Sequence, residues 1–434
     1  MRPAPGATWL ALLLGLNAPG CAARASFDPA PAAPLALAAE PAVPLGSLQP
    51  ALPDPLSELL QQVAALRGVE PSPSPALVAL SARQLARRAS EQVVRDVPEG
   101  VRRAQAQLLW RLQLVARDFE LSSALEVALA GQLQAFYVGT PPTIFIDRAL
   151  RGAQRKVALA HELVHALQDR QQALVRRLAY EPDAWDRQSA LHALAEADAL
   201  AVVERLGLSD TGASPATNEV VSPGASLPGV IARSLAAPYL DGRARVRELL
   251  AQGGFAAVDA ELRDPPRSSH ELLHGAAASP SAVLAGFAAP GRGFRLVYSD
   301  VLGEQSLRCV LEEWAPRALA AELASGWAGD RVSTFGSTED GALVWELAFD
   351  RPERAAAVSS LLVAQLRLPR PRRAPSGAAP LVAEWTCGAH GDSGVVAVDR
   401  RGARLVFASL SEIPVSGGCV PLQAWVRAAT GAYD

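Results

Sequence analysis

Lysine is almost absent from this chain. Lys156 stands alone, and every other basic side chain among the 41 Lys and Arg is arginine. With 33 Gly and 34 Pro beside abundant Ala, this reads as codon bias, not as an arginine-based function. Methionine is limited to Met1, which excludes a Met-rich adaptable surface. A formal net charge of −3 gives no electrostatic reason to expect nucleic acid as a partner. No segment beyond the N-terminus has ~18 uninterrupted apolar residues, so no transmembrane helix is expected. Cysteine is scarce too. Beyond Cys21 there are Cys309, Cys387 and Cys419, at spacings that match no metal knuckle. An odd number in an exported chain predicts one disulfide and one buried thiol. Cys387 and Cys419, both in the Gly-rich C-terminal region, are the expected pair.

What is present begins with an export signal. Arg2 supplies a minimal basic region, and Thr8 to Leu16 is a short apolar stretch. Ala18-Pro19-Gly20-Cys21 follows and resembles a bacterial lipoprotein processing site, with Cys21 as the lipidated residue. The alternative is an ordinary cleaved signal and a periplasmic or secreted protein. Residues 22–55 are Ala- and Pro-rich and read as a tether, since they cannot bury enough apolar surface to fold alone.

The length of 434 residues favours two or three units. The expected divisions are a signal at 1–21, the tether at 22–55, a helical domain at 56–290, a mixed α/β region at 291–369, and a linker with a β-rich segment at 370–434. Within 56–135 helices are expected from Leu56, from Leu77 to Arg95, from Arg102 to Arg117, and over 121–135. Thr143 to Asp147, bounded by Pro141-Pro142, reads as a strand. Helices over 153–175 and 186–206 follow, then a loop at 209–229 and a helix–turn–helix over 230–275. Strands are expected at 293–298 and 342–347, a helix at 318–325, and a hairpin over 394–410 with its turn at 400–402.

The chemistry concentrates on helix 153–175, in the segment AHELVHALQD. At about 100° per residue, His161, His165, Asp169 and Glu162 fall within one ~100° sector. Ala160, Leu163, Val164 and Leu167 fall on the opposite side. Two histidines one turn apart can hold one Zn²⁺, and the adjacent glutamate can act as general base on the attacking water. A catalytic zinc needs a third protein ligand. Glu196 on the next helix, 31 positions after His165, is the preferred one. Asp198 lies about 200° away on that helix and cannot share its face. His192, one turn before Glu196, is a weaker ligand candidate and a candidate partner for a ligand. Asp169 is a candidate to orient His165. His270-Glu271-Leu272-Leu273-His274 repeats the pattern. Pro265-Pro266 precedes it, Gly275 ends it, and no acid-bearing helix is expected at useful distance. It reads as a false zinc motif.

These segments resemble a family of uncharacterised bacterial and archaeal proteins, often exported, similar to zinc metallopeptidases of the glutamate-liganded, gluzincin-like kind. Ala135-Phe136-Tyr137 with Thr143 to Ile146, the AHELVHALQD segment, and Leu194 to Ala199 (LAEADA) carry the likeness. So do Pro238-Tyr239-Leu240-Asp241-Gly242, Gly253-Gly254-Phe255, Pro265 to Ser269, Leu302-Gly303-Glu304 and Gly326 to Arg331. The resemblance spans roughly residues 105–355. Val138-Gly139 stands where the family has Asp-Pro, Ala197 where it has Gly, and His270 where it has Glu.

The resemblance implies an α+β, predominantly helical fold. It would have a zincin-like metallopeptidase core, a small edge sheet and a mixed α/β C-terminal region. It also implies a Zn²⁺ cofactor on His161, His165 and Glu196, with Glu162 catalytic. The expected partners are a peptide or protein substrate and a membrane reached through Cys21. The strand at 143–147 is expected to take an extended peptide along its edge. His274 is the first choice for the oxyanion donor, with Tyr137, Tyr180 and Tyr239 behind it; Tyr137 and Tyr239 are also substrate-edge candidates. Two other readings stand beside this one: a non-catalytic lipoprotein with a structural metal helix, and a zinc amidase acting on a cell-wall amide.

Overall fold

A run of prolines shapes the start of the folded chain. The computed structural model describes residues 53–71, 73–130, 133–208, 227–275, 282, 284–291, 293–336, 341–369, 372–373, 383–390, 394–411 and 419–430. The 1–21 segment with Cys21, residues 22–52 of the tether and residues 209–226 of the expected loop lie outside them. The last tether residues, from Pro53, open helix α1 (Pro53–Arg67).

The helix expected from Leu77 is a strand followed by a helix. Pro71, Pro73 and Pro75 lead into strand β1 (Ala76–Leu80), and α2 (Ala82–Asp96) starts only after Ser81. Ser81 and Gln84 form a reciprocal capping box, with Gln84 N–H donating to Ser81 Oγ and Ser81 N–H donating to Gln84 Oε1. Helix α3 (Glu99–Arg111) stops short of the expected 117, where Gln113 turns to a φ of 59°. Helix α4 (Leu121–Leu129) likewise gives way to strand β2 (Ala135–Gly139), which was expected to be helical at its start.

Strand β3 (Pro142–Asp147) pairs parallel with β1 and antiparallel with β2. The order is β1-β3-β2. The strand expected to offer its edge to a peptide is therefore the central one, with both sides already paired. The edges of this sheet are β1 and β2, and β2 packs on the metal-motif helix α5 (Gly152–Gln172).

Helix α5 ends at Ala173, in the left-handed region, and a short α6 (Leu174–Arg177) leads towards α7 (Trp185–Arg205). Helix α8 (Gly229–Arg263), broken at Gly253-Gly254, crosses α7 closely. A Cβ on Gly242 would lie 2.0 Å from Ala193 O. Only a glycine allows that approach. Helix α9 (Ser269–His274) is capped by Ser268, whose Oγ accepts from Glu271 N–H.

The C-terminal half forms a second, antiparallel sheet. Its members are β4 (Leu296–Asp300), β5 (Trp327–Gly336), β6 (Gly341–Phe349), β7 (Arg372–Arg373), β8 (Ala383–His390), β9 (Gly394–Arg401) and β10 (Arg404–Ser411). The order is β4-β5-β6-β10-β9-β8-β7. Helices α10 (Gly303–Leu311), α11 (Arg317–Ala324), α12 (Pro352–Gln365) and α13 (Val420–Thr430) complete it. The expected division at 370 is not a break in the fold, because β10 lies between β6 and β9.

Alternation explains how this sheet is covered. Leu343, Trp345, Leu347, Val396, Val398, Leu405 and Phe407 join the large core that includes α5, α7 and α12. Their neighbours Val344, Val395, Ala397, Val406 and Ala408 join Leu422, Trp425 and Val426 of α13 on the other face. Cys387 and Cys419 form the expected disulfide, and Cys309 is the buried thiol. The fold is α+β and mainly helical, with two sheets.

Candidate metal centre

Helix α5 is buried on its polar face as well as its apolar one. Every residue from Val157 to Gln168 is buried, His161, Glu162 and His165 included. The polar stripe faces α7, where His192, Glu196 and Asp198 are buried in turn.

Three donors converge there. His161 Nε2 lies 3.0 Å from Glu196 Oε2 and 3.0 Å from His165 Nε2. His165 Nε2 lies 3.5 Å from Glu196 Oε1. A tetrahedral ion with ligands at ~2.0–2.1 Å holds its donors about 3.3 Å apart. The set therefore has the spacing of a metal site before any ion is placed in it. The two imidazoles meet nitrogen to nitrogen, an arrangement that a shared cation satisfies better than a hydrogen bond can.

The charge state suits a cation. Burial alone would raise the Glu196 carboxyl. His165 beside it, and hydrogen bonds from His161, His165 and His192, instead hold it well below the usual range. Burial would lower His165, but Glu196, Glu162 and Gln168 raise it to about 9. Without a metal the pair thus shares a proton that an incoming ion would displace.

The surroundings differ from the sequence expectation in several places. His165 Nδ1 is held by Gln168 Oε1 at 2.8 Å, and not by Asp169. Gln168 Nε2 donates to Asp198 Oδ2 at 2.7 Å and to Ala195 O at 3.1 Å. Asp198 in turn pairs with Arg67 of α1, which also pairs with Asp259 of α8. Asp198 does point away from the converging donors, as its position on α7 requires, yet it supports them through Gln168. Gln168 sits at about 340° on the α5 wheel, about 20° from His161 at the edge of the histidine stripe, which is the signal that would have found it. Asp169 instead accepts from the Tyr137 hydroxyl at 3.2 Å and from Val175 N–H at 2.9 Å, closing β2 against the start of α6.

His192 Nε2 lies 3.1 Å from Glu196 Oε1 but is not one of the converging donors. It is a partner of the ligand. Tyr239, carried by α8 over α7, hydrogen-bonds Glu196 and lies near Glu162. Its ring centroid is 6.4 Å from that of His161. Burial and these two carboxylates push its phenol well above the usual range, so it remains a donor. Tyr137 is buried on Asp169, and Tyr180 lies near Asp300 and Asp183.

His274 does not join this group. Its Nε2 lies 3.0 Å from both carboxylate oxygens of Glu304, and His270 Nδ1 lies 2.6 Å from Glu304 Oε2. An acid-bearing helix therefore does follow HELLH at useful distance. Glu304 comes 30 positions after His274, close to the 31 between His165 and Glu196.

Among known proteins, a family model described as a domain of unknown function (DUF8575) matches residues 294–413. No curated protein and no solved structure matches the chain. The matched segment is less than a third of the sequence and coincides with the second sheet from β4 to β10. It includes Glu304 but neither His161 nor Glu196.

Proposed function

We propose that this protein is a zinc-dependent hydrolase with a zincin-like core that cleaves peptide bonds. The carrying observation is the convergence of His161, His165 and Glu196 at 3.0–3.5 Å, with Glu162 one residue from the first ligand. Zinc held there would supply Lewis acidity, polarising a carbonyl and making water acidic enough to lose a proton near neutrality. Glu162 takes that proton as general base. The Tyr239 hydroxyl, beside Glu196, donates to the oxyanion as it develops, the role first assigned to His274. Gln168 holds His165 in the tautomer whose Nε2 is free to coordinate. The edge strand beside α5 is β2, and an extended peptide adding to this sheet near the centre would pair there.

Export fits the Cys387–Cys419 disulfide, since such bonds persist in oxidising compartments. Membrane anchoring through Cys21 is part of the same proposal. One observation favours a second reading, a metal held for structure. His161, Glu162, His165, Glu196 and Tyr239 are each no more than 4% exposed.

Glu162→Ala separates the two. The hydrolase reading expects a variant that keeps its zinc and loses cleavage of a peptide library by at least ~10²-fold, the usual contribution of a general base. Zinc bound equally by both proteins, with no cleavage by the parent, supports the structural reading. A parent that holds no metal and cleaves nothing removes both.

A further inference from the structure

The second HELLH segment, a false zinc motif by its sequence, brings together a set of possible ligands in the fold. His270 and His274 lie on one face of α9, their ring centroids 4.7 Å apart. Glu304, from the first turn of α10, reaches between them, and all three offer a donor atom within 4.8 Å of the others. We propose that His270, His274 and Glu304 form a second divalent-metal site, of the imidazole and carboxylate type that takes zinc or a neighbouring transition metal.

The site is built rather than accidental. Ser269 N–H donates to Asp186 Oδ1 at 2.9 Å, and Gln305 N–H donates to Ser269 Oγ at 3.1 Å. These bonds tie α9 to α7 and to the start of α10. Gly303 holds a φ of 80°, and a Cβ there would lie 1.8 Å from Asp186 Oδ1, so the turn that presents Glu304 requires glycine. Leu302 and Gly303 N–H both donate to Asp330, which also accepts from the indoles of Trp327 and Trp345. The Trp327 ring lies 5.9 Å from that of His270. Every support of the acid ligand is thus buried and hydrogen-bonded, as a preorganised ligand set requires.

Glu304 is the acid of the set and is itself buried. Asp186 and Asp330, buried beside it, accept from backbone N–H and indole donors that fix the surrounding turns. The two sites differ in access. The ligands of the first are all buried, whereas the His274 side chain is 39% exposed, leaving one side of the second open to water or another ligand. They share no residue. An ion here would clamp the segment matched by the family model, through Glu304, to α9, which is itself tied to α7 by the Ser269–Asp186 hydrogen bond.

The test is zinc stoichiometry on the full chain, stripped with a chelator and dialysed against zinc chloride at neutral pH. The proposal expects His274→Ala and Glu304→Gln each to lose one zinc equivalent relative to the parent. His161→Ala should lose a different one, and the double variant His161→Ala/His274→Ala should lose both. Zinc should raise the parent's Tm by a margin that shrinks in His274→Ala, by linkage. His274 is half exposed, so its truncation should leave the circular dichroism spectrum unchanged. Glu304→Gln keeps the volume of the buried acid. If both variants keep the parent's zinc count and affinity, the second site is overturned, whatever happens at His161. If they lose an equivalent while His161→Ala loses none, the second site stands and the first falls.

Discussion

At the scale of single residues, the centre on α5 depends as much on what holds the ligands as on the ligands. His165 can present Nε2 only if Nδ1 is occupied, and Gln168 occupies it. Gln168 is itself fixed by Asp198, and Asp198 by Arg67, so a chain of buried polar groups runs from α1 to the metal ligand. The sequence displayed the ligands plainly, because His-Glu-x-x-His compresses their geometry into one turn of helix. It displayed their support poorly, because Arg67 and Asp198 are 131 positions apart and nothing local links them. Asp169 looked like the orienting group from its place on the wheel, but its side chain turns to Tyr137. Gln168→Ala should therefore weaken zinc binding by about 10–100-fold, the usual cost of removing a ligand's hydrogen-bond partner. Competition with a coloured chelator measures this. Asp169→Ala should change zinc affinity far less, and equal losses in both variants would mean that Gln168 has no special role.

At the scale of elements, the crossing of α7 and α8 sets where Tyr239 can reach. Gly242 lies one turn beyond Tyr239, and its missing side chain lets the α8 backbone close on Ala193 and Ala197. Gly242→Val would force the helices apart. It should cost about 1–3 kcal/mol or more in unfolding free energy, as overpacking of a tight contact does. Denaturant unfolding tests it, and an unchanged midpoint would show that the helices separate freely. Pattern reading found α5 and α7 within a residue or two at most ends, because each is long, with Gly152 at the start of one and Gly207 just past the end of the other. It missed β1, since Ala76-Leu77-Val78-Ala79-Leu80 is as suited to a helix as to a strand. Only pairing with β3 decides that stretch, and pairing is non-local. It also missed α10 as an acid-bearing helix, because Gly303 at its start reads locally as a terminator.

At the scale of the whole molecule, one core runs from α1 to β10, and the second sheet is covered on both faces. That arrangement buries acids as well as apolar side chains. Burial pushes the carboxyls of Asp96 and Asp300 up to about 7, against hydrogen bonds from Gln92 in one case and from Trp185 and Val301 N–H in the other. In the unfolded chain both revert to about 3.9. Between these values the folded state holds protons that the unfolded state has released, so stability falls as pH rises. Their contribution is fully present below about pH 4 and is lost as pH passes through about 7. The parent, kept metal-free with chelator, should therefore unfold more easily at pH ~8 than at pH ~5. Asp300→Asn keeps the acceptor that Trp185 and Val301 use, through its amide oxygen, and removes the titration. It should flatten the decline by on the order of 2 kcal/mol, less than the full shift implies because the site is not wholly sealed from water. Denaturant midpoints for both proteins across this range measure the difference. Parallel pH profiles would show that Asp300 is ionised in the fold throughout, with its charge accommodated by the two backbone donors.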